Sequence, residues 1–334
     1  MQLLKKPQNN QKQRWYVGVV FPYRRLFIEL WGFLVKNLFS DKKTIALLSL
    51  PSIAVITFAI LSPLVVSLYF SFMEFSGFGA ATFVGMDNYQ QLVLHDGTFY
   101  RALGNTFLLM LVTICIQNPI AFMIAAILTK LKDATSRFLR TIYFIPATLS
   151  LVVVTKLWVS IFNPGYGFLN KLLQGIGFKN IQIAWLSNPD TALGSVIWIM
   201  VWQGFGWALL FYYSGLMTVP KELEEAAKVD GANKFQLYTK IIVPYLLPVI
   251  QSVVVIDVIS SLKQMEMVYL STEGGPGDLT QFIAVYLYQK AFRYSEYGYG
   301  NAISVIFVIL AVFLTVFIQR IFSERSAQSK RVDA

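Results

Sequence analysis

The sequence predicts an all-α membrane protein with six transmembrane helices and both termini in the cytoplasm. Three observations carry this. Only 14% of the 334 residues are charged and 56% are apolar or aromatic, whereas soluble domains carry about 25% charged residues. Six stretches reach the roughly 20 mostly apolar residues that a helical span needs. Lysine and arginine are divided unevenly between the segments joining those stretches, which sets orientation.

Taken in order, the chain opens with a basic segment, residues 1–43. Within it, Leu26 to Phe39 alternates apolar clusters with Glu29, Lys36 and Asn37. That pattern suits an amphipathic helix lying on the membrane surface; the plainer alternative is a tail with a sticky patch. The first long apolar run begins past residue 40 and is too long for a signal-peptide core, so no cleaved leader is expected. The spans are expected at about 44–72, 104–129, 138–163, 192–217, 245–265 and 301–320, within a membrane domain of residues 44–322, followed by a tail, 323–334. Pro51, Pro63, Pro119, Pro146 and Pro248 fall inside them. Such prolines are tolerated where neighbouring helices re-satisfy the freed carbonyls. Gln117 and Asn118, beside Pro119, suit that task.

Of the 28 lysines and arginines, 21 fall in the first segment, the 130–140 loop, the 218–244 loop and the C-terminal tail; six fall on the other side, and Lys156 lies within a span. The positive-inside rule therefore places both termini and the 218–244 loop in the cytoplasm. The net charge of +10 is a topology signal, and nucleic acid is not expected as a partner. One cysteine, Cys115, and one histidine, His95, exclude an internal disulfide and argue against histidine-rich metal chemistry. The loops on the outer side, residues 74–102, 164–190 and 271–300, are rich in glycine and aromatics. The last starts with a Gly-Pro break and carries a short helix from about 280 to 292.

The 218–244 loop holds the most specific motif. Pro220 and the acids after it suit a helix start. Leu223, Ala226, Ala227 and Asp230 share one face, where small alanines admit a close neighbour. Gly231 can end that helix in left-handed geometry, and Asn233 can cap a second helix from Lys234 to Ile242. The prediction is a helix–turn–helix at the membrane surface. Glu225-Ala226-Ala227, then Gly231, then Ile241-Ile242-Val243-Pro244 resemble the EAA loop of binding-protein-dependent importers, the membrane subunits of ABC transporters. One departure is Val243, where the family usually has leucine. YFIPATLS around Pro146, Phe162 to Gly167 with Asn170, and Thr272-Glu273-Gly274-Gly275-Pro276 resemble the larger permease subunit of the sugar-uptake branch, as in maltose, lactose and glycerol-3-phosphate importers. The resemblance covers about residues 45–322.

The resemblance implies a type I ABC importer transmembrane domain in the cytoplasmic (inner) membrane. A second permease would complete the pore, usually as a heterodimer. Two ATPase subunits would receive the EAA helices in surface clefts, and an extracytoplasmic binding protein would deliver substrate. Glu225, Ala226, Ala227, Asp230 and Gly231 would couple to the ATPase. The sequence contains no G-x-x-x-x-G-K-[ST] stretch, so ATP and its Mg²⁺ are expected on the partner ATPases. No catalytic residue, metal site or cofactor is expected in this chain.

Polar residues inside spans are costly in lipid and should face protein or water. Asp257, Ser260, Ser261 and Gln264 lie on one face of the fifth span, a candidate lining of the substrate pathway; polar contacts between helices are the plainer reading. Trp202-Gln203-Gly204 in the fourth span offers an aromatic face and an amide for a sugar ring. Lys156 either pairs with Asp257 or meets an acidic substrate such as a uronate oligosaccharide. A secondary transporter using Lys156 and Asp257 as a coupling pair is the alternative. A membrane enzyme would need a nucleophile or metal motif that the sequence lacks.

Overall fold

The computed structural model describes residues 42–178 and 181–332. The surface helix expected at Leu26–Phe39, and Lys179, lie outside the described residues. The chain divides into two compact units, up to Val66 and from Ser67. The first unit carries most of helix α1 (Lys42–Phe70), which is apolar around its circumference. Its most apolar window has no buried residue, and Phe58 is 81% exposed, the pattern of a surface suited to lipid.

In the second unit, the helices long and apolar enough to cross a membrane are α3 (Gly97–Leu128), α7 (Ala192–Leu216) and the start of α13 (Tyr297–Val332), up to Phe322. Before α3 come a two-stranded hairpin, β1 (Met73–Glu74) and β2 (Thr82–Phe83), and a short helix, α2 (Asp87–Gln90). α3 starts seven residues earlier than the expected 104. Asp96 sets that start: its Oδ1 accepts from the Phe99 amide at 2.9 Å, a cap for an orphan N–H. Midway, residues Thr113–Gln117 widen into one π turn. Pro119 lacks an N–H, and the wider turn absorbs the break.

The third and fifth spans expected from the sequence are not single helices. The third divides into α4 (Asp133–Thr148) and α5 (Leu151–Ile161), bent by 96°. Leu149 and Ser150, directly past the end of α4 at Thr148, leave the helix with ψ near 147° and 139°, and Pro146 lies within the last turn before them. The fifth divides into α9 (Lys234–Tyr245) and α10 (Leu247–Leu262), bent by 71°. Pro248 cannot donate to the Pro244 carbonyl and its ring crowds that carbonyl, so Leu246 turns the chain. Between these pairs run α6 (Phe168–Gly175) and α8 (Lys221–Val229). α11 (Glu266–Ser271) and α12 (Ile283–Tyr288) follow, the latter continuing as a π turn to Arg293. That agrees with the short helix expected near 280–292.

Gly206 fixes how closely α7 and α4 approach, because a Cβ there would stand 2.4 Å from the Tyr143 carbonyl oxygen. Four apolar clusters hold the bundle among the described residues, and the two largest involve α7. One joins Ala121, Ala125 and Leu128 of α3 to Leu209, Tyr212 and Leu216 of α7 and to Ala227, Leu237 and Ile242 of the loop that follows. The other, towards the opposite end of α7, joins Leu109, Val154, Val196, Met200, Met267 and Phe282. At that end Asp96 also accepts from the Tyr286 and Tyr299 hydroxyls. Burial, with the hydrogen bond to Asp96, pushes the Tyr286 hydroxyl above the ordinary tyrosine range.

Candidate functional site

Two places gather the residues singled out by sequence. The first is the loop after α7. α8 begins after Pro220 with Glu222 and Glu224 in its first turn, where acids offset the positive helix end. Gly231 has φ +78°. The Ala232 amide donates to the Ala227 carbonyl at 2.9 Å and the Gly231 amide to the Lys228 carbonyl at 3.1 Å. This pair of bonds is the Schellman closure of a helix, which needs a left-handed residue at that point. Asn233 then starts α9 with a reciprocal cap. Its Oδ1 accepts from the Gln236 amide and the Gln236 Oε1 accepts from the Asn233 amide, both at 2.9 Å. The helix–turn–helix expected from sequence is therefore present, built by the residues expected to build it.

Three of the four residues expected on its outer face, Leu223, Ala226 and Asp230, are exposed. The fourth, Ala227, is only 4% exposed and packs against its own chain near Leu237 and Ile242. Glu225, Ala226, Asp230 and Gly231 are exposed. Two apolar side chains that the sequence reading passed over stand out beside them: Val229 at 87% and Phe235 at 76% exposure. The signal was available, since both are apolar residues off the buried face of a polar loop. Lys130, in the turn between α3 and α4, ties to this loop through an ion pair with Glu224 at 3.0 Å.

The second place is a cavity of about 470 Å³ between α3, α7 and α10, within the range of small-ligand sites. Asp257, Ser260 and Ser261 line it from α10, Gln264 from just past the end of that helix, and Gln203 and Gly204 from the middle of α7. The helical face expected from their spacing is thus a cavity wall. α3 adds Thr113 and Gln117, from the π turn, and α7 adds Trp207, none of which the sequence reading assigned to a pathway. Gly204 leaves room for Gln117, whose Nε2 would stand 3.7 Å from a Cβ there. Asn118 donates from Nδ2 to the Asp257 Oδ2 at 2.7 Å. The Gln117–Asn118 pair therefore serves the cavity and its carboxylate, beyond easing the Pro119 break.

Two expected site residues lie elsewhere. Trp202 packs edge-on against Trp158 at 5.3 Å between ring centroids and joins the second apolar cluster. The aromatic wall of the cavity is Trp207 with Phe211. Lys156 is exposed on α5 and does not line the cavity. Asp257 is held by an amide instead, so the Lys156–Asp257 pair does not form. The sequence placed Lys156 in a straight span; the bend at Leu149–Ser150 turns it away.

The family model described as "Binding-protein-dependent transport system inner membrane component" matches residues 117–328. The chain belongs to this family. The match spans the helical loop and every cavity residue from α7 and α10, and begins at Gln117. The chain is 34% identical over 262 residues to the "Probable ABC transporter permease protein YurN" of Bacillus subtilis (strain 168), covering 78% of this chain and 89% of that one. It is 32% identical to the "Multiple sugar-binding transport system permease protein MsmF" of Streptococcus mutans serotype c, covering 75% and 85%. Among solved structures, a chain of a bacterial alginate ABC transporter, in complex with an alginate pentasaccharide-bound periplasmic protein, superposes with a TM-score of 0.74. It covers 87% of this chain and 97% of that one at 23% identity, a likeness of fold alone. The chain is a multi-pass membrane protein with the fold of a type I ABC importer permease.

Proposed function

We propose that the chain is a pore-forming permease subunit of an ATP-driven, binding-protein-dependent sugar importer. The observation that carries this is the cavity midway along α7, walled by hydroxyl, amide and carboxylate groups from three membrane helices. Such groups match the hydroxyls of a sugar, and their enclosure among apolar helices suits a passage closed to lipid. The relative named for multiple-sugar transport supports the same substrate class.

The remaining parts of the assembly follow from the family. A second permease completes the pore, and the partner ATPases bind ATP and Mg²⁺. A solute-binding protein delivers sugar at the end opposite the α8–α9 loop. That loop lies in the cytoplasm with both termini, and docks on an ATPase through Glu225, Ala226, Val229, Asp230 and Phe235. Because its buried side is continuous with the cluster joining α3 and α7, movement of the ATPase surface turns these helices as a body. Ion-coupled transport through a Lys156–Asp257 pair has no geometric support, because the two side chains do not meet. The expectation of an acidic oligosaccharide loses its basis for the same reason: Lys156 is absent from the cavity wall.

Purification in mild detergent with the partner subunits, followed by uptake in proteoliposomes, tests this reading. The ATPase subunits are expected to co-purify and uptake to require ATP. Uptake that persists with ATP depleted would sink it.

A further inference from the structure

The cavity wall is unbalanced in charge and in hydrogen bonding. Asp257 is its one ionisable side chain, and no lysine, arginine or histidine lines it among the described residues. The lysines of the neighbouring segments, Lys156 and Lys263, are both exposed. Among the described residues Asp257 has one side-chain hydrogen bond, from the neutral Asn118 amide. Next to it, two buried acceptors, Gln117 Oε1 and Asn118 Oδ1, have no hydrogen-bond partner among the described residues. Gln117 and Asn118 are 3% and 4% exposed. Buried acceptors without donors are rare and costly, and the half-buried Asp257 carboxylate beside them has no cation partner in the cavity wall. The wall therefore lacks donors and positive charge.

A ligand placed here is favoured by the donors it brings and penalised by any negative charge it brings. Neutral sugars supply hydroxyl donors to Gln117, Asn118 and Asp257, and amine-bearing sugars add a cation beside the carboxylate. A uronate would set a second carboxylate near Asp257 with no cation to separate them, and like charges at close quarters repel. We infer that Asp257 is a charge filter, and that the permease passes neutral or amine-bearing sugars and rejects anionic ones. The inference rests on the cavity being the sugar path. It sets this chain apart from a fold neighbour that belongs to an importer of the acidic polysaccharide alginate.

The test is calorimetric binding of three trisaccharides to the intact importer complex: maltotriose (neutral), chitotriose (amine-bearing) and trigalacturonate (anionic). In the wild-type complex, trigalacturonate should bind at least about tenfold more weakly than maltotriose, and chitotriose as tightly or more tightly. Asp257→Asn, which keeps the size and removes the charge, should narrow the gap by about tenfold, chiefly through tighter binding of trigalacturonate. Asp257→Glu should keep the gap. Equal binding of trigalacturonate and maltotriose to the wild type overturns the filter without any variant. So does a gap that Asp257→Asn leaves unchanged. Failure of all three sugars to bind overturns the sugar path itself, a result distinct from a loss of discrimination.

Discussion

The α8–α9 loop and the α3–α7–α10 cavity are held in opposite ways. The loop is closed by bonds between residues three to five apart: the Gly231 closure and the Asn233–Gln236 cap. The cavity is closed by partners far apart in sequence, such as Asn118 on Asp257, 139 residues away. The loop is apolar beneath and has no buried side-chain polar atom without a partner among the described residues; the cavity keeps orphan acceptors. A part that transmits force needs a fixed shape and satisfied bonds. A part that admits and releases ligands needs bonds left open for them.

The comparison breaks hardest at Ala227, where the loop meets the bundle. Ala227→Asp would bury an unpaired carboxylate in the cluster formed with Leu237 and Ile242, at about 3–5 kcal/mol. The detergent-solubilised protein should lose thermal stability and fail to retain ATPase subunits. An unchanged melting temperature would show that Ala227 is not packed as described. Its neighbour Ala226, exposed on the same helix, gives the control: Ala226→Asp should leave the melting temperature alone.

Asn118→Ala probes the other region. It removes the donor to Asp257 and leaves a carboxylate without a protein partner, costing about 1–3 kcal/mol. Loss of stability should be accompanied by a shift in sugar affinity, since Asp257 lines the cavity. If stability falls and binding of maltotriose is unchanged, the carboxylate is structural and the contrast between the two regions weakens.

Gly231→Val keeps the loop's contacts and attacks only its geometry. No atom lies within 4 Å of a Cβ at Gly231, but its φ is +78°, where a branched residue costs roughly 1–2 kcal/mol. Membrane insertion should be normal while ATP-driven uptake falls, and Gly231→Asn, which tolerates this region, should retain more uptake. Full uptake by the valine variant would remove the turn from the coupling path.

What was legible in the sequence divides along the same line. Pro220, Gly231 and Asn233 announce their helix ends because each acts on backbone groups a few residues away, and the structure has those ends. The spacing of Asp257, Ser260, Ser261 and Gln264 announced a shared face for the same reason. What stayed hidden depends on which helices meet. Nothing within α10 says that Asp257 faces Asn118 rather than Lys156. Nothing near Trp202 says that it packs on Trp158 while Trp207 turns to the cavity. The bends at Leu149–Ser150 and Leu246 lie between: Pro146 and Pro248 gave a local signal, yet the tolerance of proline in spans made straight helices the natural expectation. Ala227 shows the limit of pattern alone, since small residues suit a foreign contact and a tight internal one equally.

The smallest expected effect lies at Lys130, where a side-chain bond between distant residues supports the loop. Its ion pair with Glu224 is 3.0 Å long, but the Lys130 side chain is 54% exposed. Exposed pairs contribute about 0.2–1 kcal/mol and weaken with salt. If the loop is held by its local bonds and its apolar underside, Lys130→Gln should change the melting temperature little and leave uptake within about twofold of wild type. Raising the salt concentration should have as small an effect on the wild type. A large loss in Lys130→Gln, restored by exchanging the charges in Lys130→Glu with Glu224→Lys, would mean that a long-range bond carries the loop after all. The loop would then be built like the cavity, from partners that sequence spacing does not reveal.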